Sequence, residues 1–252
     1  MPSERDFSLE GYRALIEALL ARGYMVRSFM DARPEKRHLI LRHDLDMSLE
    51  AALPVAEVER DLGMTATYFV LLRGELYNPF TPGARKVLDE IRALGHELGL
   101  HFDGSLYSED RSSLDAAAAR ECALLETGLG IDVRTISFHR PSKALLGMGE
   151  RLAGRLHAYA PRFFRDMGYC SDSRGAWHHG HPLDHPAVSE GRALQLLTHP
   201  IWWADGMGAT VGERLDRFAE EQYDLLRQEL ARNCEPYREH LETRGRRSGS
   251  NG

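Results

Sequence analysis

Cysteine is scarce in this sequence. Cys122, Cys170 and Cys234 are scattered, odd in number and without C-x-x-C spacing, which excludes a disulfide framework and suits a reducing compartment. No apolar run approaches the roughly 18 residues of a membrane span. The opening Met-Pro-Ser-Glu-Arg-Asp has no apolar signal core, so a cytoplasmic location is the expectation. Basic charge is not in excess: 32 Lys and Arg stand against 38 Asp and Glu, a formal net charge of −6. That argues against a dedicated nucleic-acid binder, which carries a basic face. Lysine is nearly absent, at positions 36, 86 and 143 only, a trait of genome composition to which we attach no function. No internal repeat and no interdomain linker stands out.

What is present is ordinary globular material: 252 residues, 42% apolar and 28% charged. Folding at this length buries roughly 75% of the surface of the unfolded chain, so one domain is expected over 1–242, followed by a polar, disordered tail over 243–252 (TRGRRSGSNG). Strand-like and helix-like segments alternate. Ser8 caps a helix to about Arg22, with Leu9, Tyr12, Leu15, Ile16, Leu19 and Leu20 on one face and Gly23 as its stop. HLILR (38–42) is a short apolar strand. Ser48 caps a helix to about Leu62. TATYFVLL (65–72) is β-branched and aromatic, a strand. Thr81-Pro82 opens a helix to about Leu94, and HELGLH (96–101) is a strand. Asp110 to Thr127 is helix, TISFH (135–139) strand, and Gly149 to Met167 helix broken near Pro161. YCSD (169–172) and LQLLTH (194–199) are strands, and Val211 to about Asn233 is a long last helix. Repeated β-then-α order implies parallel strands with right-handed crossovers. Six or seven such units suit an α/β barrel. An open doubly wound sheet is the alternative, without a G-x-G-x-x-G after its first strand to support a dinucleotide.

Ionisable residues collect at the C-terminal ends of these strands. The first ends in His43-Asp44-Leu45-Asp46, the third in His101-Phe102-Asp103, the fourth in His139-Arg140-Pro141, the fifth in Asp172 and the sixth in His199. In a parallel barrel these ends converge on one face, the face that carries active sites. Asp44 and Asp46 are two apart, so on an extended segment they point the same way. Two such carboxylates repel, and a divalent cation relieves the conflict, leaving one as ligand and the other as base. Read alone, the pair also fits a solvated turn or a helix cap. His101 is the strongest ligand candidate, and it too has a plain reading, a strand-end histidine bonded to a carbonyl. His96 opens the same strand and belongs at the opposite end of the barrel. The run His96-Glu97-Leu98-Gly99-Leu100-His101 has a spacing of five, which on a helix turns the second His about 140° from the first and excludes a zincin. Arg140 can pin a carboxylate, Asp172 or Asp44, in a bidentate pair. His199 precedes Pro200, Ile201, Trp202 and Trp203, a desolvating neighbourhood suited to a general acid. The stretch 174–191, with His178, His179, His181 and His185, is a long loop, solvated or a lid over substrate.

Taken in order, these pieces resemble the polysaccharide deacetylases of the NodB-homology type, carbohydrate esterase family 4. Arg42-His43-Asp44-Leu45-Asp46 resembles the family's first motif, Gly95 to Gly99 with His101 its second, and Arg140-Pro141 its third. Gly168-Tyr169 with Asp172 and Trp177 is similar to the fourth, and Leu197-Thr198-His199 to the fifth. The resemblance spans about 38–203. It implies a distorted (β/α)7 barrel with one catalytic divalent metal, zinc, with Co2+, Ni2+ or Mn2+ as alternatives. It also implies Asp44 as base, Asp46 and His101 as ligands, Arg140 orienting the base with Asp172 behind it, and His199 as the acid. Trp177, Trp202 and Tyr107 are the expected substrate contacts. Two departures stand out: Leu45 separates aspartates that are adjacent in the main family, and Ser105 occupies the usual second-histidine position. Zinc needs three protein ligands, and His139, at the next strand end, is the expected substitute, with Asp103 and His43 in reserve. The implied function is hydrolysis of an N-acyl, above all N-acetyl, group on an amino sugar or sugar conjugate, with a small-molecule or glycan substrate. The rivals are a catalytically silent carbohydrate-binding relative and a hydrolase of another linear or cyclic amide.

Overall fold

A computed structural model describes residues 7–146, 148–178, 180–204 and 209–248. Its helices and strands follow local chemistry. α1 (Leu9–Ala21) starts where the Ser8 hydroxyl accepts the Gly11 amide. β1 (Met25–Val26) and β2 (His38–Leu45) come next, then α2 (Ala52–Asp61) and β3 (Thr67–Leu71). α3 (Pro82–Ala93) has Pro82 in its first turn and Thr81 accepting the Ala84 amide, and β4 (Glu97–Phe102) follows. α4 (Arg111–Leu129) is capped by Asp110 and stopped by Gly130 in the left-handed region, the usual residue for that conformation. β5 (Thr135–Phe138) and the one-turn α5 (Lys143–Leu146) lead to β6 (Arg151–Leu152) and β7 (Arg155–His157). α6 (Pro161–Phe164), β8 (Gly168–Ser171), α7 (Pro186–Glu190) and β9 (Leu194–Thr198) complete this part.

β2, β3, β4, β5, β7, β8 and β9 are the seven parallel strands of a distorted (β/α)7 barrel. The sheet path runs β6-β7-β5-β4-β3-β2-β9-β8, with β1 added beside the start of β2. Among the described residues no strand pairing joins the two edges of that path. Near that seam, Gln195 of β9 donates to the carbonyls of Ala158, just after β7 (3.0 Å), and Phe163 of α6 (3.1 Å). β2 is buried along all eight residues, as expected of a central parallel strand covered on both faces.

Of the helix expected over 149–167 only the single turn α6 from Pro161 forms; a hairpin replaces its first half. Ala153 (φ 50°) and Gly154 (φ 74°) form a two-residue turn, and β6 and β7 pair antiparallel across it. Two consecutive positive φ angles suit the hairpin turn whose twist matches the strands. β7 then pairs parallel with β5 and supplies the seventh barrel strand.

The barrel lies within a compact unit that ends at Gly208, and a second unit spans 209–252. In the second, α8 (Val211–Asn233) opens with a reciprocal cap between Thr210 and Glu213, and α9 (Glu235–Ser248) follows. The stretch read as tail is therefore helical to Ser248; residues 249–252 lie outside the described ones. No helix of the described chain is long and apolar enough to cross a membrane.

Candidate active site

The ends of β2, β4, β5, β8 and β9 bring the ionisable residues together. Alternation along β2 sends Arg42 and Asp44 into the barrel and His43 outward, against helices α1 and α2. Asp46 follows the last residue of β2, whose carbonyl, that of Leu45, accepts the Tyr77 hydroxyl at 2.7 Å. His101 sits near the end of β4, beside Ser137 of β5 in the parallel register. His139 follows β5, its amide held by the Phe102 carbonyl at 2.9 Å.

Asp46, His101 and His139 converge. His101 Nε2 lies 2.9 Å and His139 Nδ1 3.4 Å from Asp46 Oδ1, and the two ring nitrogens are 3.3 Å apart. Asp46 Oδ1 is buried and has no hydrogen-bond donor, so the two imidazole approaches to it are not aligned as hydrogen bonds. A tetrahedral zinc with bonds of about 2.0–2.1 Å separates its ligand atoms by about 3.3 Å. The observed separations and the orphaned carboxylate oxygen therefore fit a divalent cation held by two imidazoles and one carboxylate. This is also the trio of candidate metal ligands found among the described residues. His101 Nδ1 meets Ser137 Oγ at 2.5 Å, which turns Nε2 toward Asp46 and His139. Burial opposes the charge on Asp46, but His101 and His139 outweigh it and hold the carboxyl well below the usual range.

The reserve ligands point elsewhere. His43 faces Glu59 and Thr198 on the outer side of β2. Asp103 caps a short 3-10 turn, accepting the Ser105 amide (3.0 Å) and hydroxyl (2.5 Å). Ser105, in the position where the family places a histidine, is tied up in that turn.

Asp44 and His199 flank the trio. Asp44 Oδ2 is 3.7 Å from His101 Nε2, and His199 Nε2 is 3.6 Å from Asp46 Oδ2. Sequence reasoning missed the partner of Asp44. Arg42, fully buried, grips both carboxylate oxygens, Nε to Oδ1 at 3.0 Å and Nη2 to Oδ2 at 2.7 Å. Its guanidinium carbon stands 4.6 Å from the centre of the Tyr159 ring. Burial works against an ionised Asp44, but Arg42 overcomes it and lowers the carboxyl pKa. The signal was available: Arg42 is two residues from Asp44, the same spacing that aligns Asp44 with Asp46.

The expected pairing of Arg140 is not formed. Arg140 is exposed at φ 46°, and no ion pair joins it to Asp44 or Asp172 among the described residues. Asp172 instead holds His199. One oxygen accepts the His199 Nδ1 proton at 2.6 Å, both oxygens lie 3.0 Å from the His199 amide, and Trp203 Nε1 donates at 2.7 Å. Burial disfavours the imidazolium, but Asp172, then Asp46 and Asp44, outweigh it and push the His199 pKa up to about 9.

The expected substrate contacts divide. Trp202 is buried and Trp177 half-buried, and both carry buried indole N–H groups without an acceptor. Trp177 packs against Trp203 with ring centroids 6.0 Å apart. Tyr107 stacks on Phe102, donates to Glu121 and accepts from Arg73, so its hydroxyl is already engaged. In the histidine-rich loop, His181 and His185 accept the amides of Leu183 and Ala187 as turn caps. His178 is exposed, and His179 lies outside the described residues. His96, at the opposite end of β4, accepts the Ala66 amide and lies 3.0 Å from the Ala56 carbonyl through its other nitrogen.

No protein-family model matches this chain. No curated protein matches it either. Solved structures do. A deacetylase from Streptococcus pyogenes in complex with acetate, PplD, is 15% identical, over 76% of this chain and 83% of its own, with a TM-score of 0.44. A family 4 carbohydrate esterase from Bacillus anthracis is 13% identical over 83% and 85%, with a TM-score of 0.41. IcaB from Ammonifex degensii is 16% identical over 55% and 70%, also at 0.41. The likeness is one of fold.

Proposed function

We propose that this protein is a divalent-metal-dependent amide hydrolase that removes an N-acyl group, above all acetyl, from an amino sugar or sugar conjugate. The observation that carries the reading is Asp46, His101 and His139 meeting around one orphaned oxygen, with a clamped carboxylate and a charged imidazole on either side. The substrate class and zinc as the metal rest on the motif resemblance, and the proposal keeps the expected cytoplasmic location.

A cation on the trio supplies Lewis acidity, polarising the acyl carbonyl and acidifying water. The protein's own residues move the protons. Asp44 stays a carboxylate at neutral pH and accepts a proton from the attacking water. Arg42 holds both its oxygens, so the base has one orientation. His199 is protonated below about pH 9. Because Asp172 takes its Nδ1 proton, the proton it can give is on Nε2, which faces the site. Water oxygen bonds to the carbonyl carbon, the C–N bond breaks, and the leaving nitrogen takes the His199 proton. The products are a carboxylate and an amine.

The test is acetate release from N-acetylated amino sugars and nucleotide sugars by the metal-loaded protein. Asp44→Asn should retain the metal yet lose at least about 100-fold in kcat, the size of a positioned acid–base group. Near-normal turnover removes Asp44 from the base role. A protein that binds the sugars but hydrolyses none of them is the carbohydrate-binding alternative.

A further inference from the structure

The outer side of β2 carries a second polar network that the chemistry above does not use. Glu59 of α2 is 0% exposed. Its carboxylate accepts the hydroxyls of Tyr12 and Tyr68, each at 2.7 Å, and His43 Nε2 at 2.8 Å. His43 Nδ1 meets Thr198 Oγ1 at 2.7 Å. With Nε2 donating to Glu59, Nδ1 is left as acceptor and the Thr198 hydroxyl is the donor.

His43 and Thr198 are a register pair across β2 and β9. The next residue of each strand segment is Asp44 on one side and His199 on the other. A second connection runs through Tyr12, whose ring meets Trp203 edge-on at 5.4 Å, and Trp203 holds Asp172 behind His199. A buried ionic cluster is not needed for stability, since apolar residues of the same volume usually serve as well or better. What this cluster adds is a fixed distance between two strand ends. We infer that Glu59, His43 and Thr198 are positioning residues that set the separation of Asp44 and His199, a role that rests on the reading of those two as base and acid.

Thr198→Val and Thr198→Ser separate the hydrogen bond from packing. Valine keeps the shape and loses the hydroxyl; serine does the opposite. Thr198→Val should lower kcat about tenfold, well inside the 100-fold that a 1 Å misplacement can bring. KM and metal stoichiometry should be unchanged, and Thr198→Ser should recover most of the rate. A Thr198→Val enzyme with wild-type kcat, or a serine variant worse than the valine one, overturns the inference. Glu59→Gln adds an arm without turnover. It places an amide N–H among three donors, and because His43 and Thr198 stand between Glu59 and His199, it should shift the His199 ring resonances in nitrogen-15 NMR. Unshifted resonances overturn the network even if the wild-type protein hydrolyses nothing. Absence of hydrolysis with shifted resonances instead overturns only the proposed activity.

Discussion

Replacing Arg42 with methionine tests the core of the site most directly. Arg42 and Asp44 are both buried and their contact is bidentate. Methionine fills most of the guanidinium's space and leaves the Asp44 carboxylate with no hydrogen-bond donor of that kind. Removing one partner of a buried pair costs about 3–5 kcal/mol, a large fraction of a total stability of roughly 5–15 kcal/mol. At about 2–4 °C per kcal/mol for a chain of this size, Tm should fall by roughly 6–20 °C. The double variant Arg42→Met with Asp44→Asn has no stranded charge and should be more stable than Arg42→Met alone. The pH dependence has a definite sign. In the wild-type protein the Asp44 carboxyl is lowered, so its contribution is present above the unfolded value near 3.9 and is lost as pH falls through the folded one. In Arg42→Met the largest cause lowering that carboxyl is gone while burial and the smaller effects of His101 and His199 remain, so its pKa should rise, and the deficit should be largest at neutral pH and shrink as pH falls and Asp44 takes up a proton. The assay is urea unfolding of metal-free protein from pH 4 to 8, with stability from linear extrapolation. A loss under about 1 kcal/mol at pH 7, or a deficit constant across that range, refutes the assignment of Arg42 as the clamp on a buried, ionised Asp44.

Other tests follow from the same geometry. If His199 is the acid, kcat falls as pH rises through about 9. Asp172→Asn removes the largest cause raising that pKa, so the alkaline limb should move to lower pH; an unmoved limb removes Asp172 from this role. His139→Ala should cut the metal found by elemental analysis after zinc incubation from about one per chain to well below that. Unchanged stoichiometry would mean a different third ligand. Gly99 of β4 has no room for a methyl group, because a Cβ there would lie 2.6 Å from the Phe69 ring and 2.7 Å from the Thr135 carbonyl oxygen. Gly99→Ala should therefore destabilise by about 1–3 kcal/mol, as overpacking does, and wild-type unfolding in urea would show that the two strands can part at no cost.

Much of the fold was legible because its signals are local. Ser8, Thr81 and Asp110 cap helices as side chains next to free backbone amides, β3 is dense in β-branched and aromatic residues, and β9 shows as a short apolar run. The Arg151–His157 hairpin was missed because its strands are two and three residues long, too short for a period to show. Its only local sign is Ala153-Gly154, whereas the sequence reading places the one break in a 149–167 helix near Pro161. In the site, alternation predicts which residues share a face of one strand, and for that reason it could have paired Arg42 with Asp44.

The sequence by itself determined that parallel strands would end in aspartates and histidines at one end of the sheet, because hydrophobic periodicity and strand order suffice for that, and it favoured a barrel over an open sheet. It also limited the third ligand to a short list. Which of His139, Asp103 and His43 stands beside Asp46 and His101 is visible only in the tertiary structure, since it depends on distances between β2, β4 and β5 that no spacing along one strand encodes. The partners of Asp172 are visible only there too. Arg140 and Arg42 carry the same charge, and each lies in a motif that ends a strand. What separates them is that one side chain is buried against Asp44 while the other is left in solvent. Electrostatic attraction has no preference between two guanidinium groups; packing does.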